Sequence, residues 1–243
     1  MLYREQIISN LNEYLDVPST PEHNGLQVEG KREIERIAFG VSANMALFKE
    51  ALAFKADMII THHGLIWDKP QTLTGVFGKR VAFLIKNDIN LAAYHLPLDK
   101  HPVLGNNACL AKILNLTDIK PFGKYHGIDI GCIGQMKQPQ TIKQISEVLR
   151  GECLPFGKET VKTAAMVSGG AHYMFEQAIE AGADLYITGS RDEYVVEHCR
   201  EAQINFIAMG HYNSEKLGIQ ALMQYVKDNF KVQTKFIDIP NPF

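Results

Sequence analysis

Apolar residues along this chain arrive in short blocks whose period switches between helix-like and strand-like. Leu2, Ile7, Ile8, Leu11 and Leu15 fall on or near one face of an amphipathic helix over residues 1–15. Pro18 and Pro21 break it, and Asn24-Gly25 signals a turn in the loop that follows. A strand is expected over 34–41, a helix over 45–55, and a buried strand over 57–61. A helix over 78–87 leads to a strand over 89–94 that stops at His95. A helix over 106–114 opens with Asn106-Asn107 as candidate caps. The second half repeats the order: strand 163–167, tight turn Ser168-Gly169-Gly170, helix 173–181, strand 184–188, helix 193–201, strand 205–209, helix 214–225 and a last strand 235–239. Such alternation of strand and helix predicts an α/β architecture.

The two halves share more than order. Phe48, Ala51, Ala56, Asp57, Ile60 and Thr61 recur 127 positions later as Phe175, Ala178, Ala183, Asp184, Ile187 and Thr188. Val41-Ser42 matches Val167-Ser168 with a slip of one residue, and Ile89-Asn90 with Ala93 matches Ile204-Asn205 with Ala208. Blocks in one order at steady offsets predict an internal duplication joined near residues 118–140. Residues 1–120 would form one α/β repeat and residues 121–243 the other, with elements near the C-terminus able to pack on the first.

Composition narrows the class without naming a function. Hydrophobic residues make up 46% and charged residues 21% of 243 residues, an ordinary globular balance. Twenty-five basic against 27 acidic residues give a formal charge of −2, which offers no bulk attraction for nucleic acid. Cys109, Cys132, Cys153 and Cys199 form no C-x-x-C pair, so they read as reduced, mostly buried thiols. The first residues hold no apolar signal core and no run is long enough to span a bilayer, so a cytoplasmic location is expected.

Chemistry gathers at three strand ends. His62-His63 ends Met58-Ile59-Ile60-Thr61; His95-Leu96-Pro97-Leu98-Asp99 follows Ala93-Tyr94; Gly210-His211 with Glu215 follows Ile207-Ala208-Met209. Ligands of open α/β sheets bind at the carboxyl ends of strands, and neutral imidazole is the commonest metal ligand. His211 and Glu215, four apart, share a face if the helix begins near His211. His62, His63, Asp99, His211 and Glu215 make a mixed nitrogen and oxygen set suited to zinc, manganese or iron. Five donors exceed the need of one four-coordinate ion, so two divalent ions sharing a carboxylate fit, which is hydrolytic chemistry. His95 reads as an outer partner of that set. Each residue also has a plain reading: Asp99 and Glu215 as acids near helix starts, His211 as a loop histidine. Ser168-Gly169-Gly170-Ala171 could cradle a phosphate, although a tight turn accounts for it as well. Tyr3, Tyr14, Phe83, Phe175 and Phe236 fall at core-like positions.

Several motifs resemble a known family. Asn24-Gly25-Leu26-Gln27-Val28-Glu29-Gly30, Thr61-His62-His63-Gly64, His95-Leu96-Pro97-Leu98-Asp99, His101-Pro102 with Gly105-Asn106-Asn107, Gly210-His211 with Glu215, and the Phe236 to Pro242 ending are similar to the bacterial YbgI family, the GTP cyclohydrolase I type 2 homologues. The resemblance covers nearly the whole chain, without the large central insertion of some relatives. It implies duplicated, intertwined α/β halves with mixed, mostly parallel sheets, a dinuclear metal site on the five residues above, and a ring-shaped homohexamer. Close relatives tend to have Thr-Gly-Glu where this chain has Thr188-Gly189-Ser190. The family name implies hydrolytic opening of the imidazole ring of GTP or a related purine nucleotide. Two other readings stand beside it: a non-enzymatic metal-binding scaffold for nucleic acid or a protein partner, and metal storage or delivery.

Overall fold

A computed structural model describes residues 2–242. In chain order the elements are α1 (Arg4–Tyr14), β1 (Gly25–Val28), β2 (Arg36–Ser42), α2 (Met45–Ala53), β3 (Met58–His63), α3 (Gly75–Lys86), β4 (Asn90–Ala93) and α4 (Leu96–Lys100). Then come α5 (Asn106–Ile113), β5 (Leu116–Tyr125), β6 (Ile128–Thr141), α6 (Ile142–Leu149), β7 (Glu152–Leu154), β8 (Thr160–Val167) and α7 (Phe175–Glu180). The chain closes with β9 (Leu185–Thr188), α8 (Glu193–Glu201), β10 (Asn205–Ala208), α9 (His211–Asn229) and β11 (Gln233–Phe236).

Two compact units emerge, intertwined in chain order. The first holds residues up to Leu104 and Gly218–Pro240; the second holds Gly105–Leu217 with the final residues from Asn241. The first unit's sheet has the order β1-β4-β3-β2-β11, parallel except for β1. The second unit's sheet has the order β5-β6-β8-β9-β10-β7, with β8, β9 and β10 parallel and the flanking strands antiparallel. Central β2 and β3 are apolar almost throughout, as strands covered on both faces must be. Leu47, Phe48 and Ala51 of α2 and Leu84 of α3 join Ala38, Ile59 and Leu91 in the first core. The second core gathers Leu110, Ile145, Leu149, Ala164, Met166, Leu185, Ile187 and Ile207.

The same latch fastens both sheets. Asp57 Oδ2 accepts the amides of Glu35 and Arg36 at 2.8 and 2.9 Å, and its Oδ1 meets Lys31 Nζ at 3.1 Å. Asp184 Oδ2 accepts the amides of Lys162 and Thr163, each at 3.0 Å, and its Oδ1 meets Lys158 Nζ at 2.7 Å. Asn90 and Asn205 add the second half of the latch. Each side chain accepts one amide (Gly30 or Gly157) and donates to two carbonyls (Lys31 and Asp57, or Lys158 and Asp184).

Some expectations shift. Gly40 pairs with Thr61 and Val167 pairs with Thr188, so the 127-residue offset runs through both ladders and the one-residue slip at Val41 disappears. Gly105, not Asn106 or Asn107, holds the cap position of α5, and Asn107 donates to Ile130 O at 2.8 Å and accepts the Ser168 amide at 2.8 Å. Residues 118–140 carry a long β5–β6 hairpin, which runs through residue 120. Phe175 alone of the five aromatics noted above is fully buried; Tyr3, Tyr14, Phe83 and Phe236 are half-buried.

Candidate metal centre

In the first unit, β3 and β4 run parallel and end together, Thr61 opposite Ala93. The residues just beyond that register therefore meet. His62 and His63 ring centroids lie 4.7 Å apart, and the His95 ring stands 5.0 Å from His62 and 5.5 Å from His63. One ring nitrogen from each of the three histidines lies within 4.8 Å of the others. Asp99, buried in α4, brings Oδ2 to 3.6 Å from His62 Nε2. Pro97 sits in the first turn of that short helix, its fixed φ suited to a helix start.

The Nδ1 atoms are already committed. His62 Nδ1 donates to Tyr94 O at 3.0 Å, His95 Nδ1 donates to Glu22 Oε2 at 2.9 Å, and His63 Nδ1 pairs with Ser42 Oγ at 3.0 Å. Such partners fix ring orientation and tautomer, so Nε2 is the ligating nitrogen in any metal-bound form. Burial pushes the Glu22 carboxyl up. The hydrogen bond and charge of His95, the Leu96 amide and the charge of His62 outweigh it and hold Glu22 below the usual carboxylate range. Three imidazoles and a carboxylate, rigidly oriented, fit a divalent ion of the zinc, manganese or iron class.

In the second unit, α9 begins at His211 itself. His211 Nε2 and Glu215 Oε1 lie 3.1 Å apart across one helical turn, and Glu215 is buried. Gly169 makes room for them. It has φ +73°, and a Cβ there would stand 2.2 Å from Glu215 Oε1 and 3.3 Å from His211 Nε2. The Ser168-Gly169-Gly170 turn, weighed above as a phosphate cradle against a plain tight turn, spends two of its amides inside the protein: those of Ser168 and Gly169 donate to Asn107 Oδ1 and Ser214 Oγ at 2.8 and 2.9 Å. Beside His211 opens a cavity of about 610 Å³, lined among others by Arg150, Glu152, Ser190, Arg191 and Asn213. Ser190 Oγ pairs with His172 Nδ1 at 3.0 Å.

The sequence profile of the family described as Duf34/NIF3 (NGG1p interacting factor 3) matches residues 2–242. The chain belongs to that family. A Pyrococcus abyssi member named "GTP cyclohydrolase 1 type 2 homolog" is 44% identical over 247 residues, covering 98% of each chain. A Haemophilus influenzae protein of the same name is 40% identical over 228 residues, covering 90% of each. Among solved structures, that of protein ybgI superposes with a TM-score of 0.93 at 33% identity, and a Thermus thermophilus protein with 0.90 at 33%; both comparisons span the full length of each chain.

Four contributors escaped the sequence reading of this family member. Glu22 and Ser42 orient histidines from positions with no metal-ligand spacing. Asn24, read as part of a turn signal, accepts the His95 amide on its Oδ1 at 2.8 Å. Trp67 stands at 90° to the His95 ring, centroids 5.1 Å apart. Only the Asn24-Gly25-Leu26-Gln27 motif gave any sign of this bracing, and it gave no role.

Proposed function

We propose that this family member is a metal-dependent hydrolase acting on GTP or a related, damaged purine nucleotide. His62, His63 and Asp99, with His211 and Glu215, are assigned as holders of two divalent ions per chain, of zinc, manganese or iron. The observation that carries the reading is the cluster of three imidazoles, each tied at Nδ1, with ring nitrogens within 4.8 Å of one another. Ions held there would supply a hydroxide at neutral pH and a Lewis acid for developing negative charge. Tyr94 O and Glu22 keep the His62 and His95 tautomers fixed, so no reorientation is needed on binding. His95 is assigned as the outer partner that orients the cluster through Glu22. In the overall reaction, water adds to the ring carbon between two nitrogens, one carbon–nitrogen bond breaks, and the leaving nitrogen takes a proton.

The relatives' printed name, GTP cyclohydrolase 1 type 2 homolog, supports the substrate class. No helix among the described residues is long and apolar enough to cross a membrane. We assign the working assembly as a ring-shaped homohexamer in the cytoplasm, to be checked by light scattering. The decisive test is metal content of protein purified without chelator, beside Asp99→Ala and His211→Ala, followed by a purine nucleotide panel. About two ions per chain, lost in both variants together with turnover, is the expected result. Full activity in Asp99→Ala, or no metal uptake from zinc, manganese or iron, would overturn it. Salt-dependent DNA binding without turnover would favour a scaffold instead.

A further inference from the structure

Trp67 is the chain's single tryptophan, and it is 36% exposed. Indoles carry a large apolar area and a flat π face, and this one is left accessible beside the histidine cluster. It is not on a loose segment. Gln27 Oε1 accepts the amides of Leu65 and Ile66 at 2.7 and 3.0 Å, while its Nε2 donates to Ile66 O at 3.0 Å and to His23 O at 3.1 Å. Gly64 makes this clamp possible, because a Cβ there would lie 2.3 Å from Gln27 Oε1. The backbone immediately before the indole is therefore fixed from β1. The ring stands perpendicular to His95 at 5.1 Å and tilted 44° to His63 at 6.3 Å, so it is stacked on neither.

An exposed aromatic surface whose backbone is pinned on one side, set against the metal-ligand candidate His63 and its outer partner His95, suits a planar ring. Neither a sugar nor a phosphate group needs it. The fused bicyclic face of indole matches a fused heterocycle better than a single small ring. We propose that Trp67 is the ring-binding residue of this site, holding a purine or similar planar heterocycle by stacking beside His63 and His95. The inference rests on the hydrolase reading for the site's substrate class, and it adds the residue that selects the ring.

The chain supplies its own reporter, since all tryptophan emission comes from Trp67. Metal-loaded, full-length protein is titrated with guanosine 5′-monophosphate and with ribose 5-phosphate. Both carry one phosphate, so phosphate chelation is matched and the base is the difference; Trp67→Ala then separates stacking from ligation of an ion by the base. Saturable quenching by the nucleotide and none by the sugar phosphate is expected. By calorimetry, Trp67→Ala should raise the nucleotide Kd roughly tenfold, the loss of one stacked base, with Trp67→Phe intermediate and metal content unchanged in both. Wild-type affinity in Trp67→Ala, or calorimetric binding with no change in emission, would overturn the inference. So would the absence of binding by the nucleotide and by free guanine and pterin alike. Wild-type hydrolysis with the same KM in Trp67→Ala would sink this inference and leave the hydrolase reading standing. Trp67-dependent quenching without turnover of any nucleotide would do the reverse.

Discussion

Removing one asparagine from each unit should cost a similar amount, because Asn90 and Asn205 make the same three latch contacts, to which Asn90 Oδ1 adds a longer bond accepted from Arg4 Nη1 at 3.3 Å. Both are fully buried. Asn90 Oδ1 accepts the Gly30 amide at 2.9 Å, and its Nδ2 donates to Lys31 O and Asp57 O at 2.6 and 2.9 Å. Asn205 makes the matching set with Gly157, Lys158 and Asp184 at 3.0, 2.8 and 3.1 Å. Substitution by Ala does not orphan every partner. Asp57 O keeps the Asn90 amide at 3.0 Å, and Asp184 O keeps the Asn205 amide at 3.2 Å. In each unit one amide and one lysine carbonyl lose their partner. At about 1–3 kcal/mol per orphaned group, reduced where water reaches the exposed lysine backbone, each substitution should cost about 2–4 kcal/mol. Urea unfolding followed by circular dichroism and by Trp67 emission, which reports on the first unit, gives the values. A loss below about 1 kcal/mol in both variants would refute the latch as a stabilising device. A large loss in one and none in the other would refute its equivalence between the repeats.

Gly169→Ala should strip metal from the second unit's ligand pair and lower the urea midpoint, because a Cβ there meets Glu215 Oε1 at 2.2 Å from a backbone at φ +73°; the left-handed conformation alone costs an Ala about 1–2 kcal/mol, and unchanged metal content would refute the cradle. Burial pushes the Asp184 carboxyl up, but the Lys158 ammonium and the amides of Lys162 and Thr163 outweigh it and hold it below its ordinary value. A depressed folded pKa gives stability that is present above the unfolded value of about 3.9 and lost as pH falls through the folded one. The stability gap between wild type and Asp184→Asn should therefore be full at neutral pH and close below about pH 4, with a pH-independent gap counting against the assignment. Burial pushes the Cys132 and Cys199 thiols up to about 12 and raises Cys109 and Cys153 as well. Iodoacetamide at pH 8 should label native protein slowly and all four cysteines in urea, read by intact mass; fast labelling of native Cys132 would contradict its burial.

The elements most legible in the sequence were those whose period survives on its own. β2, β3, β4, β8, β9 and β10 each centre on a short apolar run (residues 37–39, 58–60, 91–93, 164–167, 185–187 and 206–208), and the helices between them keep a helical period. The β5–β6 hairpin was not legible. β5 exposes five consecutive residues, Thr117 to Pro121, and includes a proline and a glycine, so it lacks the alternation that marks a strand and carries two residues that argue against one. Its place at the edge of the sheet tolerates Pro121, which has no amide to donate. Metal-ligand candidates stood out because histidine and acid at strand ends break an apolar pattern. Glu22, Ser42 and Asn24 did not, since each is an ordinary polar loop or strand-end residue whose partner lies 21 to 73 positions away. Trp67 lies in a segment with no period at all, and only the Gln27 clamp, invisible in one dimension, gives it a fixed place.

The repeats also separate what holds the fold from what the fold carries. The 127-residue offset that superimposes Asp57 on Asp184 and Thr61 on Thr188 sets Gly189-Ser190 where the first repeat has His62-His63. The latch beneath the strands is kept in both copies, while the strand ends above it differ completely. At β3 they bear imidazoles; at β9 they bear a glycine too crowded for any Cβ, with Ser214 Oγ only 2.6 Å away, and a serine that opens onto a cavity. Stability and chemistry therefore occupy opposite ends of the same strands. Substitutions in the latch should move unfolding midpoints without changing metal selectivity, and substitutions at the strand ends should do the opposite.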